Sequence, residues 1–151
     1  MSTLVSIDPG KKKYGWALFQ DSVLVDCGHA DTFGPMPRAL RLKPDRLVLE
    51  HPKVYPNQQG QRTDPNDLLG LCTANGRVIG YYLDNMDPPG RLRLAWTFVF
   101  PHEWKGQTPK DIQNNRDMRK LEEHERLCVP NNHNVKDAVG VGLWALKRTK
   151  L

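Results

Sequence analysis

Three apolar runs near the start of the chain, joined by very short connections, restrict its fold more than any other feature. TLVSID at 3–8 alternates and is β-branched, YGWALFQ follows at 14–20, and VLVDCG follows at 23–28. Pro9-Gly10 stops the first run, and Asp21-Ser22 is a two-residue turn between the second and third. This spacing predicts an antiparallel three-stranded meander. DRLVLE at 45–50 then reads as a buried strand cut off by Pro52. The short helix or irregular crossover at 35–43 lets that strand lie parallel to the first.

The rest of the chain is punctuated by proline. Residues 53–63 read as an exposed loop. Asp64-Pro65 is a helix start, with aspartate as the N-cap and proline at N1. Leu68, Leu71, Cys72, Ile79 and Tyr82 give the helix over 65–83 its apolar stripe, interrupted by Gly70, Gly76 and Gly80. LRLAWTFVF at 92–100 is a strand, and Pro109 opens a charged helix to about Leu127, expected on the surface. A last helix runs from about Asn134, its expected cap, to Lys147. The order β-β-β-(α)-β-α-β-α-α implies an α/β domain with a mixed sheet and packed helices. One domain over 1–151 is expected from the length.

Composition narrows the class. No run approaches the 18 or so apolar residues that span a bilayer, so a membrane protein is not expected. Asp8 and three lysines follow the first residues where a signal peptide would need an apolar stretch. Three widely spaced cysteines with no CxxC pair point to a reducing cytoplasm and no structural zinc. The formal charge of +5 is weakly consistent with a polyanionic partner.

Three carboxylates stand out by position. Asp8 ends the first strand, Glu50 ends the fourth, and Asp137 lies near the start of the last helix. Each also has a plainer role: Asp8 in turn chemistry, Glu50 as a solvated strand-end charge, Asp137 as a complement to the helix dipole. If the first and fourth strands are parallel neighbours, their C-terminal ends coincide at the crevice where open α/β sheets bind ligands. Carboxylates crowded there repel unless cations neutralise them. Mg²⁺ or Mn²⁺, two per site, suits such oxygen ligands, activates water and stabilises a leaving oxygen. His133 and Asn134, four and three residues before Asp137, share its helical face if the helix already starts there, and His133 is a candidate ligand or base, or else a capping or surface histidine. Lys11, Lys12, Lys13, Lys53, Arg62, Lys105 and Lys110 are candidate phosphate contacts, and Tyr55 sits in the exposed loop where bases could stack. Trp104 reads as a packing residue.

SIDPGKKKYGWALF, LVLEHPKVYP, PHEWKGQTPK and HNVKDAVGVGLWAL, in this order, resemble the RuvC family of Holliday junction resolvases, most of all its short phage-type members. The resemblance implies a ribonuclease H-like fold: a five-stranded mixed sheet, antiparallel meander plus parallel strands, with helices on both faces. It implies that Asp8, Glu50 and Asp137 are the metal-binding acids and that Lys105 and Lys110 match two lysines of the family pattern. It also implies a homodimer nicking opposed strands of a four-way junction in a bacterial cell or phage-infected host, with helix 65–83 near the dimer contact. Many members carry an acid or a histidine three residues before the last aspartate, where this chain has Asn134, with His133 one residue earlier, so the resemblance implies as fourth metal ligand either Asn134, through its carbonyl oxygen, or His133, with a shifted helix start. The expected activity is therefore metal-dependent cleavage of branched DNA. The rival readings are a ribonuclease H-like nuclease acting on flaps or RNA–DNA hybrids, a sugar-kinase or actin-like phosphate-binding domain, disfavoured by the chain's length, and a non-catalytic junction-binding protein.

Overall fold

The computed structural model describes residues 1–53, 64–85 and 96–148. Strands β1 (Thr3–Asp8), β2 (Lys13–Gln20) and β3 (Val23–Asp31) form the antiparallel meander. The β2–β3 turn places both Asp21 and Ser22 at positive φ, 48° and 70°. That matches the twist of a tight hairpin, although neither residue is glycine. Asp21 is held there because its carboxylate accepts from the Ser2 N–H at 2.8 Å while its own N–H donates to the Ser2 carbonyl at 2.8 Å.

The short helix α1 (Arg38–Arg41) carries the chain across to β4 (Arg46–Glu50), which pairs with β1 in parallel. Helix α2 (Pro65–Asp84) starts as expected, with the Asp64 side chain accepting from the Asn66 N–H at 2.8 Å. Its buried side is Ala74, Asn75, Val78 and Tyr82, so the expected stripe is rotated and Cys72 is exposed. Strand β5 (Trp96–Val99) pairs with β4 in parallel, completing the order β3-β2-β1-β4-β5. Residues 92–95 of the expected strand lie outside the described residues, as does the 53–63 loop beyond Lys53.

Four helices follow: α3 (Pro101–Trp104), α4 (Lys110–Met118), α5 (Glu123–Cys128) and α6 (His133–Ala145). The single charged surface helix expected over 109–127 is two helices, and their polar residues are not all in solvent. Gln113, Asn114, Asp117 and Glu125 are buried. Burial is tolerated because most of these polar groups find partners. Gln113 and Lys120 donate to Asp117, and Glu125 meets Arg148. The cap of α6 is Asn132, not Asn134, because the Asn132 side chain accepts from the N–H groups of Asn134 and Val135 at 2.9 and 3.3 Å.

The sheet has a core on each face. On one, Leu4, Phe19, Val48 and Val99 pack with Ala138, Val139, Val141 and Leu143 of α6. On the other, Val5, Ile7, Leu47 and Leu49 pack with Leu40, Val78 and Tyr82. Strand alternation fixes the sorting: even-numbered β1 and β4 residues face α6, odd-numbered ones face α2. Ser6, on the α6 face, donates to the Ala138 carbonyl at 2.6 Å, which pins the helix across the sheet.

Candidate active site

Asp8 and Glu50 each follow the last β1–β4 register pair, Ile7 with Leu49, so they end adjacent parallel strands. Both have the parity that points to α6. Asp137 lies one turn into α6 and is 2% exposed; Asp8 is 7% exposed. The start of α6 can come this close because Gly15 of β2 lies beneath it. A Cβ there would overlap the Asn134 carbonyl.

The three acids act on one another. Burial pushes the Asp8 carboxyl well above its ordinary value, and the charges of Glu50 and then Asp137 push it further, while Lys110 and Lys105 oppose them. Burial also raises Glu50, against the pull of Lys105 and the Trp104 hydrogen bond. The Trp104 indole N–H donates to Glu50 Oε2 at 2.6 Å, and Lys105 Nζ stands 3.5 Å from the same oxygen. Lys110 Nζ lies 2.6 Å from Asp137 Oδ2. Asp137 Oδ1 is buried and has no hydrogen-bond partner among the described residues. The Glu50 backbone carbonyl accepts from Asn75 Nδ2 of α2 at 2.9 Å.

Asp8 and Asp137, both buried, and the half-buried Glu50 crowd their carboxyl groups together, and such acidic oxygens fit a cation. Among the described residues, no three or more His, Cys, Asp or Glu side chains are already drawn together closely enough to hold a metal ion. The donors present are carboxylate oxygens, the ligand type of a hard divalent ion, which completes its shell with water and phosphate oxygens. A cleft of about 220 Å³ opens beside Glu50, lined by Pro52, Lys53, Leu68, Leu71, Pro101 and Lys105.

The other expected residues are scattered. His133 is exposed at the first position of α6 and Asn134 is half-buried. Among the described residues, no hydrogen bond or ion pair joins either side chain to the acids. Lys11 bonds Asp67 of α2 at 2.5 Å rather than turning toward Asp8. Lys12 and Lys13 are exposed, and Lys53 has its ammonium 5.8 Å from the Phe100 ring centre. Tyr55 and Arg62 lie outside the described residues. Sequence reasoning placed Trp104 only in packing and gave no role to Asn75. No spacing marks either as a partner of Glu50, since the contacts form across 54 and 25 residues of chain.

No protein-family model matches the sequence, and no curated protein is similar to it. Solved structures are similar in shape. Thermus thermophilus RuvC in complex with a Holliday junction substrate aligns with a TM-score of 0.64 and 17% identity, over 99% of this chain and 98% of that one. A second Thermus thermophilus RuvC structure gives 0.56 and 15%, over 98% of each chain. The Fowlpox virus resolvase, in complex with Holliday junction DNA, gives 0.54 and 14%, over 97% of this chain and 99% of that one. At these identities the likeness shows the fold: the chain has the ribonuclease H-like fold of RuvC, as its sequence motifs implied.

Proposed function

We propose that this chain is a metal-dependent, structure-selective endodeoxyribonuclease that resolves Holliday junctions and related branched DNA by paired, symmetric nicks. The carrying observation is the meeting of Asp8, Glu50 and Asp137 at the parallel strand ends, flanked by Lys105 and Lys110. Two of the structures that share this fold are complexes with junction DNA, which supports the same substrate class here.

Asp8, Glu50 and Asp137 would hold two Mg²⁺ or Mn²⁺ ions, with His133 or Asn134 as a further donor. Bound there, the ions supply Lewis acidity toward the phosphate and lower the pKa of the attacking water. The protein's own groups do the rest. Lys110, beside Asp137, offsets the negative charge that builds on the phosphate. His133, exposed one turn before Asp137, would take the proton of the incoming water. Lys11, Lys12, Lys13, Lys53, Lys105 and, in the undescribed loop, Tyr55 and Arg62 hold the DNA arms by their phosphates and bases. Branched shape, not base sequence, sets specificity, because no element here carries a base-reading motif.

Paired nicks need two sites, and we assign the dimer contact to α2. Leu69 and Leu83 are exposed on it, and added Cβ atoms at Gly76 and Gly80 would meet nothing within 4 Å among the described residues. Residues 1–151 act in this reading as one nuclease domain in the cytoplasm of a bacterial or phage-infected cell. Among the described residues, no helix is long and apolar enough to cross a membrane.

The test is incubation of the purified protein with a labelled immobile four-way junction, with and without Mg²⁺. Flap and RNA–DNA substrates run in parallel. Paired symmetric nicks that require Mg²⁺ are expected. Asp8→Asn and Asp137→Asn should abolish cutting by a factor of a thousand or so while junction binding persists, the scale of losing a group that acts on the transition state. Junction resolution that survives both substitutions refutes the site.

A further inference from the structure

We infer that Trp104 is a positioning residue. Its indole N–H, held under α6 by the space that Gly140 leaves, fixes the Glu50 carboxylate for metal binding and steadies Lys105 beside it. The inference rests on the reading of Glu50 as a metal ligand and adds a residue to it.

Trp104 makes three contacts at once. Its N–H donates to Glu50 Oε2 at 2.6 Å, a short hydrogen bond to a carboxylate. Its ring lies 4.9 Å from the ammonium of Lys105, which also stands 3.5 Å from that same Glu50 oxygen. The ring edge presses on α6 at Gly140. A Cβ at position 140 would come within 2.5 Å of Trp104 Cζ3 and 2.6 Å of Asp117 Oδ2, so a larger residue would push the indole away from its place. Trp104 is only 7% exposed, and burial of an indole normally requires a partner for its N–H.

The local chain is built to deliver that N–H. Trp104 is the last residue of the one-turn helix α3, which starts at Pro101. The Glu103 carboxylate accepts from the Phe100 N–H at 2.6 Å and closes the start of the turn. From the other side of the sheet, Asn75 holds the Glu50 backbone carbonyl. Glu50 is therefore fixed at its main chain by α2 and at its carboxylate by α3. One oxygen is committed to the indole, which sets the plane of the carboxylate and the direction of the other oxygen. Groups that orient a metal ligand in this way commonly change metal affinity by 10–100-fold when removed.

The test separates the hydrogen bond from the packing. Trp104→Phe keeps an aromatic ring beneath Gly140 and removes the N–H. Site-specific incorporation of 3-benzothienylalanine at position 104 keeps the full indole shape and replaces N–H with sulfur. Each protein is titrated with MnCl₂ by calorimetry in the absence of DNA. Its melting temperature and its affinity for a four-way junction without divalent ions are measured alongside. Mn²⁺ affinity should fall by about 10–100-fold in both proteins, with melting temperature and metal-free junction affinity near wild type. Mn²⁺ affinity within twofold of wild type in the benzothienyl protein overturns the inference, and so does an equal loss of metal-free junction affinity, which would mark a purely structural role. Asp8→Asn is the control. If it loses Mn²⁺ and the benzothienyl protein does not, the metal site stands and only the role of Trp104 falls. If wild-type protein takes up no Mn²⁺, the metal-site reading itself falls.

Discussion

Asp8 bears the heaviest electrostatic burden in the site. It is buried, and two further carboxylates act on it. Its folded-state pKa is raised above the ordinary 3.8, so the native protein holds a proton that the unfolded chain has already lost. Stability then falls as pH rises from the ordinary aspartate range through the raised value. Asp8→Asn removes this penalty. In metal-free protein it should raise the melting temperature at neutral pH, and the gain should vanish in acid below the ordinary aspartate pKa. Equal melting of the two proteins at neutral pH would mean that the acids do not strain the fold. Added Mg²⁺ should stabilise the wild type and leave Asp8→Asn nearly unchanged, since only the wild type has a site to be filled. The places of Asp8 and Glu50 were legible because strand ends and parity are local properties, and that of Asp137 because a helix start is one too. The lysines could be named from the sequence, but their pairing could not. Lys105 reaches Glu50 and Lys110 reaches Asp137 only through the turn between α3 and α4.

At the scale of elements, α5 shows why the charged segment was misread. Glu125 is 0% exposed although it sits in a helix that hydropathy assigns to the surface. Its carboxylate accepts from Arg148 at 2.6 Å through both oxygens, from the Leu24 N–H at 2.7 Å and from the Glu122 N–H at 2.7 Å. One side chain thereby ties α5 to β3 and to the end of the chain beyond α6. Burial raises its pKa, but the Arg148 bonds and the two backbone N–H groups outweigh burial and bring it below the ordinary 4.5. Because the folded-state value is depressed, this clamp contributes fully above the ordinary glutamate pKa and is lost as pH falls through the depressed one. Glu125→Gln should destabilise the protein by about 3 kcal/mol at neutral pH, the usual scale for breaking a buried ion pair. The difference should narrow in acid, which urea melts at two pH values will read. A difference that persists unchanged in acid would assign the loss to packing instead. Pattern reasoning sees only the polarity of Glu125, because its partners lie 101 and 23 residues away.

For the whole molecule, the outward side of α2 is the surface proposed above as the dimer contact. Its inner side is spent on the sheet through Val78 and Tyr82, while Leu69, Gly76, Gly80 and Leu83 face outward. Gly76→Arg fills the open space over that surface without touching the acids. It should convert a dimer to single chains by light scattering and turn paired nicks on a junction into unpaired ones. Retained dimers with paired nicks would move the contact elsewhere on the molecule. Junction affinity should also fall steeply with added salt, since binding by lysines to phosphates releases counterions.

By itself the sequence determined the meander, the crossover strand, the capped start of α2 and the positions of the three acids. Those features follow from alternation, turn chemistry and capping, which act between residues a few places apart. Only the tertiary structure decided which polar residues are buried, which lysine meets which acid, and that Trp104 holds Glu50. Such contacts depend on the exact approach of helices to a sheet. That approach is set by close packing at Gly15 and Gly140, where the absence of a side chain lets another element in.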